Sequence, residues 1–232
     1  MYYEYVHGGN IYDENGYANE NIIDFSANIN PLGIPGEVLA AAKNSAANAN
    51  VYPDSRCRLL TAKLAEFEEV DKSHIFCSNG ASDILFRLAF AVKPKKILVT
   101  APSFADYERA GKAAGAEIIY YGLKKENKFA VDTDIVNAIL EASPDIVFIC
   151  NPNNPTGNLT NTETLEDIAA ACKSVGSILL ADECFLDFVE ESHRYSAKPL
   201  LHEYKNIVIL KAFTKIFALP GLRLGYAICG DK

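Results

Sequence analysis

The 232-residue sequence has no apolar run long enough to cross a bilayer; the longest ones are broken by Lys, Asp or Asn within about ten residues. Residues 1–10 are polar and aromatic and carry no signal-peptide hydrophobic stretch, so a cytoplasmic protein is expected. No Lys/Arg cluster is present. With 22 Lys and Arg against 30 Asp and Glu the formal net charge is −8, which argues against nucleic acid or an anionic membrane as partner. Any anion bound must therefore be captured by a local pocket. There is no Cys-x-x-Cys and no Cys/His spacing suited to a metal: Cys57, Cys77, Cys150, Cys172, Cys184 and Cys229 are scattered, as are the four His. No metal site is expected. Cysteines in apolar runs such as Ile75-Phe76-Cys77 read as small buried hydrophobes in a reducing compartment.

What the sequence does have is material for a core, with 49% hydrophobic and 22% charged residues. Short runs of Ile, Val and Leu with little alternation fall at 75–77, 97–100, 118–121, 146–150, 178–181, 207–210 and 224–229. Strands buried on both faces have this character. Apolar residues at helical spacing fill 81–92, 104–114, 132–142 and 162–175, with Thr160 placed to cap the last of these. Two further helices are expected over 36–45 and 59–68. The alternation predicts an α/β fold over residues 36–232, a mostly parallel seven-stranded sheet sandwiched by helices. Residues 1–35 break the rhythm. Rich in Tyr, Asn and Gly and ending in the turn-prone Asn28-Ile29-Asn30-Pro31-Leu32-Gly33, they predict an extended N-terminal arm.

Five segments at strand ends carry residues with chemical potential. Lys215 sits in the apolar run Phe213-Thr214-Lys215-Ile216-Phe217, a setting that favours a neutral, nucleophilic amine. Thr214 and Arg223 bracket it with a hydroxyl and a guanidinium fork suited to a phosphate. Taken alone, this segment fits a solvated surface lysine equally well. Asp182 and Glu183 place two carboxylates at a strand's C-terminal end, where α/β ligands bind, although a helix cap or an ion pair is the plainer use. The loop Asn151-Pro152-Asn153-Asn154-Pro155-Thr156-Gly157 holds Asn154 stiffly, or is simply a turn. Ser78-Asn79-Gly80-Ala81-Ser82 leads from a strand into a helix and leaves the helix N–H groups open to an anion. Phe104 begins the next helix and suits either stacking on a planar ring or core packing.

Taken together and in this order, the segments resemble the class I/II aminotransferases, enzymes of pyridoxal-phosphate (PLP) fold type I. The resemblance runs from the arm to the last residue. It implies PLP as cofactor, with Lys215 and Asp182 as the catalytic pair. Lys215 would hold the cofactor as a Schiff base and shuttle the α-proton, and Asp182 would pair with the ring nitrogen. Asn154 would bond the ring's phenolic oxygen and face the substrate, and Phe104 would stack on the ring. Gly80, Ala81, Ser82, Thr214 and Arg223 would hold the phosphate. Tyr52, in Val51-Tyr52-Pro53-Asp54, would reach the phosphate of a neighbouring subunit, which implies a homodimer. Two departures stand out. Many relatives have Asp-Glu-Ala-Tyr where this chain has Asp182-Glu183-Cys184-Phe185, so a phenol at the ring oxygen is missing. The family also continues into a C-terminal small domain that closes the site and supplies an arginine for the substrate carboxylate; that domain is expected to be absent from these residues.

Within the family, His7-Gly8-Gly9-Asn10 and the segment from Asp24 to Gly33 resemble the arm of the threonine-phosphate decarboxylases of cobalamin biosynthesis. This implies a phosphorylated amino-acid substrate. His7, Gly8 and Gly9 would contact its phosphate, and Asn28 and Asn30 would line its pocket. The histidinol-phosphate aminotransferases, which also take a phosphorylated substrate, are the alternative. A PLP-binding or dimer-forming domain with little activity is the third reading.

Overall fold

Seven strands form one sheet: β1 (Ile75–Ser78), β2 (Lys96–Ala101), β3 (Glu117–Gly122), β4 (Ile146–Cys150), β5 (Ile178–Asp182), β6 (Ile207–Ala212) and β7 (Gly225–Cys229). Their order across the sheet is β1-β7-β6-β5-β4-β2-β3, and only β7 runs antiparallel to its neighbours. The computed structural model describes residues 8–19 and 21–231. Among these, no helix is long and apolar enough to cross a membrane. The helices are α1 (Gly36–Ser45), α2 (Arg58–Glu68), α3 (Ala81–Val92), α4 (Ala105–Ala113), α5 (Asp134–Ala142) and α6 (Thr162–Val175).

The strands lack polar alternation because both faces are covered. Along β4, Ile146, Phe148 and Cys150 pack with Leu85 of α3 and Tyr107 of α4. Val147 and Ile149 point the other way, toward Ile139 of α5 and Ile168 of α6. Every residue of β4 is buried, as the central strand of a two-sided core must be.

The expected elements are all present, with ends displaced by a residue or two. The cap of α6 is a correction. Asn161 rather than Thr160 accepts the Thr164 N–H, at 2.9 Å, while the N–H of Thr160 donates to Asn151 Oδ1 at 2.8 Å. The reversed sense of β7 follows from its connection. The segment between β6 and β7 turns back at the same edge instead of crossing a face through a helix, and only antiparallel strands can be joined so. It carries Lys215 and Arg223.

Residues 8–19 and 21–35 have little regular structure beyond a Tyr12–Ala18 bridge. Asn30 fastens them. Its backbone N–H donates to Lys215 O at 3.1 Å and its side-chain amide donates to Ile216 O at 2.8 Å.

Candidate functional site

The chain leaves β2 for β3 on one side and then returns past β2 to β4, so neighbouring strands β2 and β4 send their connections in opposite directions. Such a switch point opens a crevice beyond the C-terminal ends of the strands. Phe104 follows β2, Asn154 follows β4, Asp182 ends β5 and Lys215 follows β6. Because β1 is parallel to β6 and β7 starts where they end, Gly80 and Arg223 come to the same edge.

Alternation along β5 separates its two carboxylates. Asp182 turns toward the α3/α4 face, 5% exposed, where its Oδ2 accepts the Tyr107 hydroxyl at 2.7 Å and its Oδ1 the Cys184 N–H at 3.0 Å. Glu183 turns to the opposite face and leaves Asp182 as the carboxylate at the crevice. Glu183 is fully buried and accepts from Ser196 Oγ and from the Ala197 N–H at 2.7 Å. Burial pushes its carboxyl up to about 7, against the opposing pull of Lys211.

Lys215 Nζ lies 5.0 Å from the centre of the Phe185 ring. Burial lowers its amine below the ordinary lysine value, and the Asp182 carboxylate works against that shift. Among the described residues it has no hydrogen bond or ion pair. A half-buried amine without a fixed partner, beside an apolar ring, is suited to nucleophilic work.

A small concave cup lies beside it. Gly80 takes φ +91, and a Cβ there would sit 2.7 Å from Arg223 Nη2, so the guanidinium rests directly on the glycine. Gly225 meets the other side: a Cβ on it would lie 2.8 Å from Ala81 N. The first-turn N–H groups of α3, starting at Ala81, have no acceptor within the helix. Ser82 contributes only through its backbone, because its hydroxyl donates to the buried Asp106 at 2.7 Å. Thr214 Oγ1 makes no hydrogen bond among the described residues. N–H groups at a helix start, a guanidinium and a free hydroxyl suit a phosphate.

Three asparagines share the loop after β4. Asn151 is fully buried and pins the loop through Thr160 O and Tyr195 O, at 2.8 and 2.6 Å. Asn153 donates to Pro102 O at 3.1 Å and so joins this loop to the one bearing Phe104. The side chain of Asn154 has no partner among the described residues and lines a cavity of about 420 Å³ together with Asn28, Ile29, Phe185 and Phe188. Asn30, by contrast, is spent on the lysine loop and on the Leu32 N–H at 3.0 Å. Gly8 and Gly9 lie against Ser26, whose Oγ accepts the Gly9 N–H at 2.8 Å. His7 lies outside the described residues. Tyr52 is wholly exposed and distant from any partner in this chain. Tyr107, Asn151 and Asn153 escaped the sequence reading; for Tyr107 the usable signal was its position one helical turn after Phe104.

The family model for aminotransferase class I and II matches residues 20–232. The chain is 38% identical to the threonine-phosphate decarboxylase of Salmonella typhimurium over 232 residues, covering 97% of this chain and 62% of that protein. It is 31% identical to the histidinol-phosphate aminotransferase of Methanococcoides burtonii, with 97% and 62% covered. The histidinol-phosphate aminotransferase of Clostridium acetobutylicum superposes with a TM-score of 0.80 at 32% identity, over 91% of this chain and 61% of that one. The chain thus spans about 62% of the length of these curated relatives. A lysine, a buried carboxylate and an anion cup at one edge of this sheet agree with that match, and the chain belongs to the class I and II aminotransferase family, whose cofactor is PLP.

Proposed function

We propose that the protein carrying this chain binds PLP at Lys215 and decarboxylates L-threonine O-3-phosphate to (R)-1-amino-2-propanol O-2-phosphate and carbon dioxide, a step of cobalamin biosynthesis. The higher identity to the decarboxylase, 38% against 31% over equal lengths, carries the choice of reaction. Phe185 agrees with it, since the phenol of many aminotransferases is missing at that place.

The site fits the cofactor on its own geometry. An unpartnered Asn154 amide and an unpaired Lys215 amine each lack a use among the described residues, and the Arg223 guanidinium, which donates to Pro220 O at 3.2 Å, rests on a glycine without a Cβ. PLP, when bound, supplies the electron sink that an amino-acid α-carbanion requires. Lys215 Nζ would hold the cofactor and then deliver a proton to the substrate's α-carbon in place of the carbon dioxide that leaves. Asp182 would supply a carboxylate to pair with the pyridine nitrogen. Asn154 would donate to the ring oxygen, Phe104 would cover the ring, and Gly80, Ala81, Ser82, Thr214 and Arg223 would hold the phosphate. Asn28 and Ile29 line the cavity beside Asn154 on the substrate side, and His7, Gly8 and Gly9 would contact the substrate phosphate. Gly225→Ala is expected to push β7 off the α3 start and cost about 1–3 kcal/mol of stability. Its PLP affinity falls as well, both read by thermal unfolding with and without PLP.

The arm, the first two helices and the segment between them expose large apolar side chains, including Val51, Tyr52, Leu59 and Phe67 at 62, 100, 77 and 76% exposure. This supports a homodimer in which Tyr52 reaches the neighbouring phosphate. Tyr52→Phe is expected to weaken PLP retention by about 1.5–3 kcal/mol, the value of a hydrogen bond to a charged group. Equilibrium dialysis measures that loss, and sedimentation measures the dimer.

The fold similarity to a histidinol-phosphate aminotransferase, at a TM-score of 0.80, favours transamination as the second reading. Labelled carbon dioxide release from threonine phosphate, without a keto acid, tests the first. Glutamate formed from histidinol phosphate and 2-oxoglutarate, with no carbon dioxide released, would establish the second instead.

A further inference from the structure

We propose that Tyr107 is a positioning residue of this site, its hydroxyl fixing the Asp182 carboxylate and its ring fixing Phe104. The proposal rests on Asp182 being the partner of the PLP ring nitrogen. Tyr107 lies in the first turn of α4 and is fully buried. Its ring stacks on Phe148, with centroids 5.0 Å apart and planes within 8°. It meets Phe104 edge-on at 5.6 Å and 82°. Packing alone would be served by phenylalanine. The hydroxyl has a separate task, 2.7 Å from Asp182 Oδ2.

Each oxygen of that carboxylate thus has one fixed donor, since Oδ1 takes the Cys184 N–H at 3.0 Å. Two donors on two oxygens define the plane of the group as well as its place. Burial and the Asp182 charge push the phenol well above its ordinary range, so Tyr107 remains a donor throughout the working pH range. In a water-poor setting a donor of this kind also draws off part of the carboxylate's charge. Tyr107 therefore links the charge beneath the cofactor ring to the aromatic that covers it.

Tyr107→Phe in the PLP-loaded protein tests this, with the pH titration of the visible PLP band and its circular dichroism as readouts. A carboxylate that no longer shares its charge favours protonation around it more strongly. The midpoint should move upward by about one pH unit, within the range set by losing one hydrogen bond to a charged group. The dichroic band should weaken while the unfolding temperature stays within a few degrees. In an Asp182→Asn background the same substitution should move the midpoint no further. An unchanged midpoint and dichroism in Tyr107→Phe, or an equal shift in the Asp182→Asn background, would overturn the proposal. So would loss of folding, because the phenyl ring keeps every packing contact and the hydroxyl would then be a stability element. A wild-type protein that develops no visible band with PLP would instead overturn the assignment of the cofactor.

Discussion

Asp182→Asn should leave the protein folded, yet lower the turnover of the PLP-loaded enzyme by about 10²–10³-fold, the range for removing one preorganised electrostatic partner. The amide oxygen can keep the Cys184 N–H while its NH2 donates to the Tyr107 hydroxyl oxygen, so the buried phenol stays satisfied as an acceptor. What disappears is the negative charge that opposes deprotonation of the ring nitrogen. Asp182→Ala adds a second cost. It strands the Tyr107 hydroxyl in a fully buried place without an acceptor, which destabilises by about 1–3 kcal/mol. The two variants therefore separate chemistry from folding. Single-turnover kinetics and thermal unfolding on both give the comparison. Turnover by Asp182→Asn within a few-fold of wild type would show that the carboxylate has no electrostatic task.

The strands were legible because burial on both faces writes itself as unbroken Ile, Val and Leu, as in Ile146–Cys150. Their order was not. Placing β4 beside β2 and β7 beside β1 depends on crossovers between residues far apart in the chain, which no local pattern records. The same divide runs through the site. Lys215, Asp182 and Asn154 stand in short segments whose neighbours signal a loop at a strand end. Tyr107 reads in sequence as an ordinary core aromatic, because its acceptor lies 75 residues away. Asn30 likewise meets its acceptor 186 residues on, so its use as a clamp on the lysine loop was hidden. Strand alternation decides the fate of Glu183: adjacent to Asp182 in sequence, it must face the other way. Ser82 shows a further limit, since only the fold reveals that its hydroxyl is already committed to Asp106.

Lys215 carries the account. Its amine is lowered by burial, so at a given pH below the ordinary lysine value a larger fraction is neutral than for a solvated lysine. Capture of PLP should accordingly rise with pH and level off earlier than for a surface lysine. Lys215→Ala removes that amine from a place where Phe185 and the rest of the loop 213–219 offer no second amine. Lys211, four residues earlier, is held by Asp187 at 3.2 Å. The most direct measurement is borohydride reduction of the PLP-treated protein, followed by peptide mass mapping in wild type and in Lys215→Ala. The account predicts one pyridoxyl group per chain on Lys215 in the wild type and none in the variant. A label on another lysine, or an undiminished label in Lys215→Ala, would contradict it.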